Sequence, residues 1–125
     1  MIDSINHYLL YDGEYLNGER SGKGKEYSIY GPSIFESYLI FEGEYLKGKK
    51  NGKGKEYYNY SYGGPKLKFE GEYINNKIWN GKLYDYKNEN YTEIKDGKGF
   101  IKEYYDGGNL RFEGEYLNGE RRKGK

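Results

Sequence analysis

Four glutamates, Glu14, Glu44, Glu72 and Glu115, hold one position in a phrase that recurs four times, at Tyr11–Leu16, Phe41–Leu46, Phe69–Ile74 and Phe112–Leu117. Paired carboxylates are the machinery of glycoside hydrolysis, where one acid gives up a proton while the other attacks or activates water. That chemistry needs two acids in unlike surroundings, whereas these four share one context. Lys23 and Lys25 follow Glu14, and Lys53 and Lys55 follow Glu44, so the acids read as one side of a cross-strand salt-bridge ladder. Gly43–Lys50 (GEYLKGKK) has the glycines and lysine of a phosphate loop but no Ser or Thr to hold magnesium, and the matching stretches of other copies read as turn variants. His7 is the sole histidine and no cysteine accompanies it, which leaves neither a metal site nor a nucleophile–base–acid arrangement. The chain is read as non-enzymatic, with no catalytic residue, no metal site and no cofactor.

The elements that position these residues follow from period-two patterning. Leu9, Leu39, Leu67 and Leu110 lie two residues before the first aromatic of each phrase. Gly13, Gly43, Gly71 and Gly114 lie two after it, and Tyr15, Tyr45, Tyr73 and Tyr116 four after it. Alternate residues of a strand share a face, so these line one side and the acids the other. Polar turns follow at Asn17–Ser21 and Lys47–Asn51, and then Gly22–Tyr27 and Gly52–Tyr57 alternate glycine with lysine. Each unit is therefore a β-hairpin with an acidic first strand and a basic second strand.

The copies are imperfect. Units are expected at about residues 9–30, 36–60, 66–85, 86–105 (degenerate) and 109–125 (truncated), forming a single array over 1–125. In the third, Leu83 stands where the second glycine is expected, and Trp79 falls on its turn. In the fourth, Gly97-Lys98-Gly99 is followed by two extra residues, Phe100 and Ile101, and the first strand lies somewhere in Tyr86–Lys95. Residue usage agrees with strands. The chain has no Ala, Val or Cys but 18 Tyr and 20 Gly in 125 residues, and its net charge is +1. Missing alanine disfavours helices, and an aliphatic content under about a fifth suits a thin sheet better than a thick core. Absent cysteines exclude disulfides. Met1–Leu10 makes a poor signal peptide and no stretch reaches transmembrane length, so the expected setting is cytoplasmic. The sequons at Asn59-Tyr60-Ser61 and Asn90-Tyr91-Thr92 are read as chance.

The phrase aromatic-Glu-Gly-Glu-Tyr-Leu-x-Gly followed by Gly-Lys-Gly resembles the MORN (membrane occupation and recognition nexus) repeat. Tyr11–Gly24 and Phe41–Gly54 follow that pattern throughout, while Phe69–Leu83 and Phe112–Lys125 follow its first half and then shift. Tyr15, Tyr45, Tyr73 and Tyr116 stand where the family often has Trp. Asp106–Glu120 is also similar to variant repeats of bacterial antitoxin-like proteins. The resemblance implies an all-β, elongated, single-layer antiparallel β-meander of stacked hairpins that contacts proteins or phospholipid headgroups and carries no chemistry of its own.

The expected function is thus a protein-interaction or scaffold module using a Tyr-rich surface. Alternatives are peripheral binding to anionic membranes through the lysine strands, and antitoxin-like neutralisation of a partner protein. Candidate partner-binding residues are Trp79, Tyr15, Tyr45, Tyr73, Tyr116, Lys53 and Lys55. Acids interleaved with the lysines disfavour nucleic acid. The sheet edges favour self-association.

Overall fold

The computed structural model describes residues 7–30, 37–58, 65–105 and 108–122. The side chain of His7, the sequon at Asn59 and the C-terminal Lys123 and Lys125 lie outside that set. The described chain is all β, in the order β1 (His7–Leu16), β2 (Glu19–Tyr30), β3 (Ser37–Leu46), β4 (Lys49–Tyr58), β5 (Lys66–Ile74), β6 (Lys77–Tyr84), β7 (Tyr91–Ile94), β8 (Gly99–Tyr104), β9 (Leu110–Leu117) and β10 (Glu120–Arg121). Strands β1 to β7 form one antiparallel meander in sequence order, and β8 to β10 form a second, three-stranded sheet.

Five connections are tighter than the sequence suggests. Asn17-Gly18, Lys47-Gly48, Asn75-Asn76, Asp96-Gly97 and Asn118-Gly119 all have positive φ at both central residues. That is the two-residue turn whose twist matches the flanking strands. Glu19 and Arg20, expected in a turn, already belong to β2. The slack is taken up by a bulge, because pairing jumps from Gly13↔Gly24 to Tyr15↔Arg20, and from Gly43↔Gly54 to Tyr45↔Lys50.

The turns stack. Gly48 N–H donates to the Arg20 carbonyl (3.0 Å), Asn76 N–H to Lys50 (2.9 Å), Gly97 N–H to Trp79 (2.8 Å) and Gly119 N–H to Gly97 (2.9 Å). This column runs through the break between the sheets, where β7 and β8 share only the bridge Lys95↔Lys98.

One aromatic column forms the core. Tyr11, Tyr45, Phe41, Tyr73 and Phe69 meet edge to face in succession, with centroids 5.3–5.6 Å apart, a spacing and tilt favoured by the ring quadrupole. The rings lie over cross-strand glycines. A Cβ at Gly24 would sit 2.5 Å from the Tyr11 ring, and one at Gly54 would sit 2.8 Å from Phe41. Glycine here is space for a neighbour's ring.

Two sequence-based registers are corrected at the far end. Gly81 faces Gly71 and so is the second glycine, while Leu83 faces Phe69, the place that Glu56 takes opposite Phe41. Likewise Gly99 faces Tyr116 as Gly22 faces Tyr45, so Phe100 and Ile101 are not an insertion. Ile101 occupies a glycine position opposite Gly114, and Ile94 does the same opposite Gly81. Leu83, Ile94 and Ile101 are all buried in one cluster with the rings. They supply aliphatic bulk where the sheet splits and rings alone would leave a gap.

Candidate functional site

Two of the four repeated glutamates serve the backbone. The bulge leaves the N–H of Lys23 and of Lys53 without a ladder partner, and Glu14 Oε1 (3.3 Å) and Glu44 Oε1 (2.8 Å) accept from them. Glu72 Oε1 accepts from Asn80 Nδ2 at 3.0 Å, and Glu115 Oε1 accepts from Arg122 Nη1 at 2.8 Å. A carboxylate accepting a backbone N–H is a stronger partner than a neutral group. The expected ion pair of Glu14 with Lys23 or Lys25 is replaced by this bond, because the bulge carries Glu14 out of register.

Closed ion pairs cluster on the aromatic side. Arg20 pairs with Glu26, Lys50 reaches Glu26 at 3.9 Å, Lys68 reaches Glu56 at 3.9 Å, and Arg121 Nε meets Glu103 at 2.6 Å. The same cations cover rings: Arg20 lies 4.2 Å from the Tyr11 centroid, Lys50 lies 4.2 Å from Phe41 and Arg121 lies 5.3 Å from Phe112. The glutamates in turn accept from phenols, Tyr73 to Glu56 (2.8 Å) and Tyr116 to Glu103 (2.7 Å). Burial first, and the adjacent carboxylate second, push both phenols well above their ordinary pKa. Tyr45 is pushed up by burial and by Glu26, and its hydroxyl is buried without a hydrogen bond. The signal for Glu26, Glu56 and Glu103 was present in the recurring Lys-Glu-Tyr. Each Glu stands two residues after a core-facing glycine or its replacement, and so shares that face.

The opposite face carries the exposed charge. Asp12, Lys25, Glu42, Lys55, Glu70, Lys82 and Glu93 face one another in turn across β1 to β7. A parallel row holds Lys23 opposite Glu44 and Lys53 opposite Glu72. Both rows have the same sign on a given strand, so the face is striped, negative and positive by alternation. None of these facing pairs closes to salt-bridge distance among the described residues. Between the rows runs a trough of about 630 Å³, floored by Gly24, Gly43, Gly54 and Gly71 and walled by Lys23, Lys25, Lys53, Lys55, Asp12, Glu42, Glu70 and Glu72. The Tyr57 hydroxyl donates to one of the wall carboxylates, Glu42, at 2.6 Å.

The candidate residues thus fall into four places. Lys53 and Lys55 wall the trough. Tyr45 and Tyr73 are buried in the ring column, with Tyr116 packed against it, while Tyr15 is 62 % exposed on β1. Trp79 lies in β6 and not on a turn, half-buried, with its ring against Gly97 and Gly119 in the stacked turns. Among the described residues no group of three or more His, Asp or Glu is arranged to hold a metal, and no helix is long and apolar enough to cross a membrane.

The MORN repeat family model matches residues 11–29 and 41–60, the first two hairpins. No curated protein and no solved structure matches the chain. MORN repeats are in general modules that bind proteins or membranes, and the family is generally non-enzymatic. The glycine-floored hairpins, the ring column and the two matched copies converge on one motif: the first two hairpins of this chain are MORN repeats.

Proposed function

We propose that the chain is a non-catalytic protein-interaction module whose working surface is the striped trough across β1 to β5. One observation carries this. The rings expected to meet a partner are mostly spent on the core, while the trough stays open and presents side chains of both signs in a fixed order. Charged groups so arranged select a partner by complementarity and steer its approach more than they add raw affinity. Lysine stems and glycine backbone give the trough apolar surface for contact beneath the charges. Four lysines balance four acids on its walls, which weakens a purely electrostatic attachment to anionic lipid.

The test is capture of a partner by the wild-type protein and by Lys53→Glu/Lys55→Glu, alongside flotation with anionic vesicles. Capture by the wild type alone, with no flotation, supports a protein-binding trough. Equal capture by the charge-reversed variant would remove the trough from the account. Salt-sensitive flotation of the wild type would replace the protein partner with a membrane.

A further inference from the structure

The four equivalent tyrosines are not equally sheltered. Tyr45 and Tyr73 are 4 % and 3 % exposed, and Tyr15 is 62 % exposed. The difference comes from the preceding hairpin. Tyr45 receives the Tyr11 ring edge and the Arg20 guanidinium from it, at 5.3 and 5.5 Å between centres. Tyr73 receives the Phe41 ring, the Lys50 ammonium and a carboxylate acceptor, Glu56. Among the described residues Tyr15 meets the ring of Tyr11 on its own strand, at 5.2 Å. Every other first strand of the large meander before β7, β3 and β5, is held on both sides by a basic second strand, while among the described residues β1 pairs with β2 alone.

We propose that the edge of β1 left unpaired among the described residues is a docking site for a basic, glycine-containing β-strand of another polypeptide, built like β2 or β4. The register is given by two interior examples. Glutamate seats opposite the first aromatic, lysine opposite the next acid and glycine opposite glycine, as Glu26↔Phe41, Lys25↔Glu42 and Gly24↔Gly43 do, and as Glu56↔Phe69, Lys55↔Glu70 and Gly54↔Gly71 repeat. On β1 the same places are Tyr11, Asp12 and Gly13. An edge strand offers a row of unpaired backbone groups, and strand addition takes affinity from the main chain and specificity from alternate side chains. A second copy of β1 does not fit. Antiparallel pairing centred on Gly13 sets Asp12 against Glu14 twice, and like charges directly opposite are destabilising.

The test titrates isotope-labelled full-length protein with a capped peptide of the sequence of residues 19–28, ERSGKGKEYS. Saturable amide shifts concentrated in β1 are expected. Both a peptide with its lysines changed to glutamate and the protein variant Tyr15→Ser should bind at least tenfold more weakly. Tyr15 is exposed, so that variant keeps the fold. No β1 shifts at millimolar peptide, equal binding of the charge-reversed peptide, or unchanged binding by Tyr15→Ser would each overturn the proposal. So would sedimentation of the protein alone as a dimer that the peptide does not dissociate.

Discussion

Single residues in this chain are chosen for what stands across the strand. Gly54 leaves room for the Phe41 ring, whose atoms lie 2.8 and 2.9 Å from where a Cβ would sit. Gly54→Ala should therefore cost about 1–3 kcal/mol through overpacking, read as a lower midpoint of denaturant unfolding. Glu44 accepts the orphan N–H of Lys53. Glu44→Gln keeps an acceptor and should be nearly silent, while Glu44→Ala should cost about 1 kcal/mol. A paired-acid role would erase that difference, since there the amide is as damaging as the alanine. The buried phenols set a pH limit. Tyr73 and Tyr116 have folded pKa values raised above the unfolded value, by burial and then by Glu56 and Glu103. Their contribution to stability is whole below about pH 10 and is lost as pH rises through the raised values. Ultraviolet titration should show a delayed set of tyrosines that ionise together with unfolding.

At the scale of the element, the hairpin was legible and its register only in part. Period-two alternation and Asn-Gly turns name the strands and their faces without further help. The bulge was not legible, because Gly22 and Gly52 read as ordinary members of a Gly-Lys-Gly strand until their positive φ places them in an irregular pairing. Leu83 and Ile101 misled for a related reason. Aligning glycines by sequence assumes that every core-facing glycine is kept, and here two give way to isoleucine where the ring column ends. Lys47 is the weak turn residue, the one copy without Asn or Asp at a first turn position with φ of 52°. Lys47→Asn should stabilise the second hairpin by up to about 1 kcal/mol, measured as a raised melting temperature.

The whole molecule is one stack of hairpins despite its two sheets. The core cluster and the turn column both cross the break between β7 and β8, and Trp79 ties the third hairpin to the fourth and fifth. As the only tryptophan, it reports on that join. Its emission should red-shift with the main unfolding transition, and an earlier shift would mean that β8 to β10 come away first. Function at this scale follows from two faces with opposite economies. One hides its aromatic rings behind a cation and a carboxylate, and the other holds its facing charges beyond salt-bridge distance in stripes. The sequence named the charged residues but not their exposure, because burial of the tyrosine stripe depends on the preceding hairpin. The most direct measurement is partner capture by two variants of matched folding, Lys53→Glu/Lys55→Glu in the trough and Arg20→Met among the rings. Loss of capture in the first, with only lowered melting in the second, is the predicted result. Capture that survives in the first and fails in the second would place the working surface on the aromatic face and contradict the account.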